Sequence, residues 1–117
     1  MSIIRVDAIQ SASGVQKYVA SAWMNANMTG TPSIRASGNV SSITDNGVGD
    51  WTINFTTSFA NTNYAVVASA AFDDAVTAGA THRGVAPRSP TISSIRLILT
   101  DGNVGADPLR LSMVAFQ

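Results

Sequence analysis

Residues 39–64, NVSSITDNGVGDWTINFTTSFANTNY, constrain the fold more tightly than any other part of the chain. Val40, Ser41, Ser42 and Ile43 lead into Asp45-Asn46-Gly47-Val48-Gly49-Asp50, after which Trp51, Ile53 and Phe55 alternate with Thr52, Asn54 and Thr56. Successive side chains of a strand point to opposite faces, so this alternation demands one buried and one solvated face. Asn46-Gly47 supplies the positive φ values that a tight reversal needs. The segment reads as a β-hairpin that turns at Asn46-Gly47.

Composition extends the β assignment to the whole chain. Lys17 is the only lysine and there is no glutamate, so the residues that normally cover exposed helices are nearly missing. Ser, Thr, Asn and Gly take the polar positions, as in a β protein rich in turns. A length of 117 residues suits one domain. Seven basic residues balance seven acidic ones, so the basic excess of a general nucleic-acid binder is missing. Without cysteine, neither a disulfide framework nor a thiolate metal site can form. Arg5 and Asp7 interrupt the first apolar run, which therefore does not read as a signal peptide, and no run reaches the ~20 apolar residues of a membrane helix. Synthesis in the cytoplasm of the producing cell, without membrane insertion, is the expectation.

Along the chain, Ile3 to Ile9 reads as an extended arm, in which Ile4 and Val6 alternate with Arg5 and Asp7 before Ser11-Ala12-Ser13-Gly14 breaks the pattern. Such an arm, with Ile3, Ile4, Val6 and Ile9 as its apolar contacts, serves either as an ordinary first strand or as a strand added to a neighbouring subunit. In Val15 to Met28, helical and alternating spacings compete; we expect a helical turn over Gln16 to Ala20 and a strand over Ser21 to Asn27. Ser33 to Ser37 is a short strand ended by Gly38 and Asn39. The continuous apolar run Tyr64 to Phe72 suits a central strand covered on both faces. Residues 73–91 read as a long excursion with one edge strand near Thr81 to Val85, followed by strands over Thr91 to Leu99 and Leu109 to Phe116. The sum is a single antiparallel sandwich or barrel of about seven to eight short strands, with residues 1–14 as arm and 15–117 as domain.

No catalytic constellation stands out. His82, the single histidine, has Arg83 beside it but no recognisable nucleophile, and a surface position is the simpler reading. Residues 101–107, DGNVGAD, carry oxygen ligands at alternate positions. An EF-hand loop wants Gly at its sixth position and Glu at its twelfth; Ala106 and Ser112 stand there, so a plain Asx-rich turn is preferred. Asp73 and Asp74 are neighbours and in a strand would face opposite ways, which excludes a glycosidase pair across one cleft. Gly47-Val48-Gly49 precedes a strand, not a helix, so it is no phosphate loop. Trp23, Trp51, Tyr18, Tyr64 and the phenylalanines could stack on sugars, with core packing as the simpler role. No cofactor or metal is implied.

Two segments carry a resemblance. Ala22-Trp23-Met24-Asn25 with Thr29-Gly30-Thr31 and Ile34-Arg35 is the first. Asn39 to Gly47, then Gly49-Asp50-Trp51-Thr52, Asn54-Phe55-Thr56-Thr57 and Asn63-Tyr64-Ala65-Val66, is the second. Together they resemble a small β module of tailed-bacteriophage virion proteins of the tail-fibre kind, and Ser2 to Gln10 looks like the arm that precedes it. The resemblance implies a non-enzymatic viral structural protein located in the virion, homotrimeric, in a tail fibre or tail tip, in contact with other virion proteins and open to contact with the host surface. A capsid decoration protein of similar build is the alternative, and a carbohydrate-binding module a third. Residues 73–108 depart from the module. Variable loops commonly carry specificity, which makes Asp73, Asp74, His82, Arg83 and Arg88 the candidate interaction residues.

Overall fold

The computed structural model describes residues 9–10, 16–17, 19–72, 82–99 and 107–117. Its strands are β1 (Ile9–Gln10), β2 (Gln16–Lys17), β3 (Ala22–Asn27), β4 (Ser33–Gly38), β5 (Val40–Gly47), β6 (Asp50–Phe55), β7 (Ala65–Ala71), β8 (His82–Arg88), β9 (Ser94–Leu99) and β10 (Arg110–Phe116). β1 and β2 make a two-stranded sheet of their own, with Ile9 opposite Lys17 and Gln10 opposite Gln16. The other eight strands form one antiparallel sheet in the order β4-β3-β10-β7-β8-β9-β6-β5. The protein is all-β, and no helix occurs among the described residues.

This sheet curls into a nearly closed barrel because its two ends are consecutive in the chain. β4 ends at Gly38, β5 begins at Val40, and β5 lies against both β3 and β4. Asn39 alone makes the corner, at φ 57°. Asn is one of the few side-chain-bearing residues that tolerate this left-handed region. Its amide also ties the corner down. Nδ2 donates to Ser21 O and Thr57 O, both at 3.1 Å, and Oδ1 accepts from Thr57 N at 2.6 Å.

On the opposite side β8 carries the sheet from one half to the other. Gly84, Arg83 and His82 pair with Ser69, Ala70 and Ala71 of β7, while Val85 to Arg88 pair with Leu99 to Arg96 of β9. Pro87 lacks a donor, and it falls where β7 no longer accompanies the strand.

The inward positions follow the period of two. Ala22, Met24 and Ala26 from β3, Leu111, Met113 and Ala115 from β10, Ile95, Leu97 and Leu99 from β9, and Trp51, Ile53 and Phe55 from β6 are all buried. Three aromatic rings close one end of this core. Phe55 stacks on Phe59 at a centroid distance of 4.7 Å, and Tyr64 meets Phe59 edge-on at 4.4 Å. The Tyr64 hydroxyl lies 2.8 Å from both Thr91 O and Ser94 O, latching the segment before β7 to the approach of β9. Phe59 N adds a bond to Ile92 O at 2.8 Å.

Five expectations are corrected. Gln16–Lys17 is strand, not the start of a helical turn, because its backbone bonds go to β1. The reversal of the β5–β6 hairpin lies at Val48-Gly49, two residues beyond Asn46-Gly47. Asp45 pairs with Trp51 and Gly47 with Asp50, leaving Asn46 as an unpaired bulge residue, while Gly49 takes the turn's positive φ of 72°. β7 is central but covered on one face only: Ala65, Val67 and Ser69 are exposed. The strand near Thr81 to Val85 is an interior strand, not an edge, and it runs on to Arg88. Finally, β9 begins at Ser94, and Ile92 precedes it in an exposed turn held by Thr91 N to Ser94 O.

Candidate functional site

The structure does not gather the residues singled out by sequence into one place. Ile9 lies in β1 opposite Lys17 of the same chain, while Ile3, Ile4 and Val6 fall outside the described residues. Asp73, Asp74 and the 101–106 part of the Asx-rich turn also fall outside them. His82 and Arg83 stand at the end of β8 that pairs with β7, whereas Arg88 ends the strand opposite Arg96. At ~3.3 Å per residue, the backbones of His82 and Arg88 are roughly 20 Å apart. Arg88 is exposed, with Nη1 on its neighbour's carbonyl, Pro87 O, at 3.3 Å.

The register instead assembles a surface on the outside of β3, β10 and β7. Val114 of β10 stands between Trp23 of β3 and Val67 of β7, and Trp23 in turn faces Gly38 of β4. One step along, Phe116 faces Ala65. Val67 is 68% exposed, and Trp23 and Phe116 are each 42% exposed. On the other side of this apolar row, Ser112 stands between Asn25 and Ser69. Among the described residues, charge enters at the far end of the face, with Arg110 opposite Ala71 and with Arg35, whose Nη2 bonds Leu109 O at 2.8 Å. An apolar centre with a polar margin is the anatomy of a contact surface, and soluble monomers seldom leave such patches open without a use.

Local packing fixes the surface. The indole of Trp23 lies across Gly38, where a Cβ would overlap its ring nitrogen and sit 2.8 Å from Cδ1. Glycine on this end strand makes room for the ring, and the ring covers the bare backbone. Trp23 is thereby held flat against the sheet.

The outside of β5, β6 and β9 is chemically different. Asn54 Nδ2 donates to Ser42 Oγ and Thr44 Oγ1, both at 3.1 Å, and Asn46 Nδ2 donates to Thr52 Oγ1 at 2.8 Å. Arg96 Nε bonds Asp50 Oδ1 at 2.8 Å, and its Nη2 bonds Oδ2. The Arg96 guanidinium holds the Asp50 carboxyl below its ordinary pKa, helped by the Asn46 amide, against a smaller opposing effect of burial. These groups satisfy one another along a cross-strand ladder, so this face is polar but largely self-paired.

Among the described residues no group of three His, Asp or Glu side chains is placed to hold a metal ion. What the structure offers is recognition by a face with an apolar centre. Sequence reasoning missed Val67, Val114 and Phe116 in that role. The signal was present: β7 and β10 carry apolar residues at both parities, more than a strand with one buried face requires. Comparison with protein-family models, with characterised proteins and with solved structures gives no match.

Proposed function

We propose that this chain is a non-enzymatic structural component of a bacteriophage virion, belonging to a tail fibre or tail tip and working as a homotrimer. The virion part of the reading rests on the resemblance carried by residues 22–35 and 39–66. The association part rests on one observation, the apolar row on the outer face where Trp23, Val114, Val67 and Phe116 meet. An apolar centre without charge accepts a copy of itself without like-charge repulsion, with Arg110 and Arg35 kept at the margin, and a threefold arrangement lets three such faces surround one axis. The ladder of β5, β6 and β9 then remains outside, where its paired polar groups keep the assembly wetted.

Two measurements test this. Sedimentation of the purified chain at micromolar concentration is expected to give a trimer; a monomer sinks the association part. Quantitative mass spectrometry of purified virions is expected to find the chain at the copy number of tail parts. A copy number matching the capsid shell would shift the assignment to a decoration protein, and absence from virions would end the virion reading altogether.

A further inference from the structure

We propose that Asn46-Gly47 is a self-modification site, at which the hairpin converts its own asparagine to aspartate and isoaspartate. Asn46 is the only asparagine in the chain followed by glycine. Glycine has no Cβ to obstruct its backbone nitrogen, so that nitrogen can reach the preceding side-chain carbonyl. Two further observations favour reaction at this site. Gly47 N–H donates to Asp45 Oδ1 at 3.1 Å, which places a carboxylate on the proton that must leave the nucleophile. Asn46 is exposed and is the unpaired residue of the bulge. Opposing them, its amide nitrogen is clamped by Thr52 Oγ1 at 2.8 Å, with Asp50 Oδ1 at 3.4 Å, a restraint on the electrophilic carbon that sets the pace of the conversion.

The step balances without any oxidant or cofactor. Asp45 accepts the Gly47 N–H proton as the Gly47 nitrogen bonds Asn46 Cγ. The Cγ–Nδ2 bond then breaks, and the nitrogen leaves as ammonia carrying that proton. Water opens the resulting succinimide at either carbonyl, giving aspartate or isoaspartate. The bulge accommodates the extra backbone carbon of the isoaspartate product, because residue 46 has no Cα partner in β6. The product replaces a donor facing Asp50 with a carboxylate, so the end of the polar ladder opens and the chain moves from net charge zero to one negative charge.

The test is peptide mapping by mass spectrometry of the full chain aged at neutral pH. Residue 46 is expected to gain the deamidation mass well ahead of the exposed Asn61 and Asn63. Asp45→Ala is expected to slow the conversion several-fold, and Thr52→Val, which releases the clamp, to speed it several-fold. Asp45 is exposed, so its variant carries the test even where Thr52→Val fails to fold. Conversion of residue 46 no faster than that of Asn61 and Asn63, or an unchanged rate in Asp45→Ala, overturns the proposal.

Discussion

Single residues decide whether the two ends of this sheet meet. Asn39 supplies both a left-handed backbone and three side-chain hydrogen bonds at the corner between β4 and β5. Asn39→Ala is expected to cost about 2–3 kcal/mol in chemical denaturation, because it loses both contributions. Asn39→Gly keeps the backbone and is expected to cost about half as much. Gly38→Ala drives a methyl group into the Trp23 indole and is expected to cost about 1–3 kcal/mol, with a red shift in tryptophan emission as the ring leaves the sheet. Tyr64 gives a prediction in pH. Burial raises its pKa above the ordinary value, so its stabilisation is complete below about pH 10 and is lost as pH rises through the folded-state value. Tyr64→Phe is expected to lower stability by about 1–2 kcal/mol at neutral pH and to flatten the alkaline limb of a pH–stability profile. An equally steep alkaline limb in the variant would show that other groups govern it.

At the scale of elements, the β5–β6 hairpin shows what sequence patterns resolve and where they stop. The alternation of Trp51, Ile53 and Phe55 set the buried face of β6 correctly, because period two has one structural solution when one side is dry. The turn lies two residues beyond the Asn46-Gly47 signal, because Asn46-Gly47 and Val48-Gly49 both offer a glycine and local chemistry does not choose between them. The choice is made across the sheet: Gly49 O accepts Leu99 N, and Gly49 N donates to Asp107 Oδ1, both from segments about fifty or more residues away. The sequence around Thr81 to Val85 reads as an edge strand, yet β8 is interior, and its Pro87 is tolerated because it lies where one flank is already free of a partner. The hairpin also carries an acid prediction. Asp50 has its pKa lowered by Arg96, so the pair's stabilisation is complete above the ordinary carboxylate value of about 3.9 and fades as pH falls through the lower folded value. Asp50→Asn is expected to remove that acid-limb loss in a thermal-denaturation series, and an unchanged limb would assign it to other carboxylates.

For the whole molecule, the all-β class was legible from the missing glutamates and the turn residues, whereas the contact face was not. Trp23, Val114 and Val67 are 91 and 47 residues apart in sequence, and only the antiparallel register of β3, β10 and β7 sets them side by side. Composition cannot report which apolar residues face outward once a sheet closes on itself. The central claim is that this outer face joins copies of the chain. Val67 is the most exposed large apolar residue among the described residues, so Val67→Asp is expected to lower monomer stability by only about 1 kcal/mol, the cost of strand propensity. The most direct measurement is sedimentation equilibrium of the wild-type chain and Val67→Asp side by side, with circular dichroism on both. The account predicts a trimer for the wild type and a folded monomer for the variant. A monomeric wild type, or a variant that remains trimeric, contradicts it.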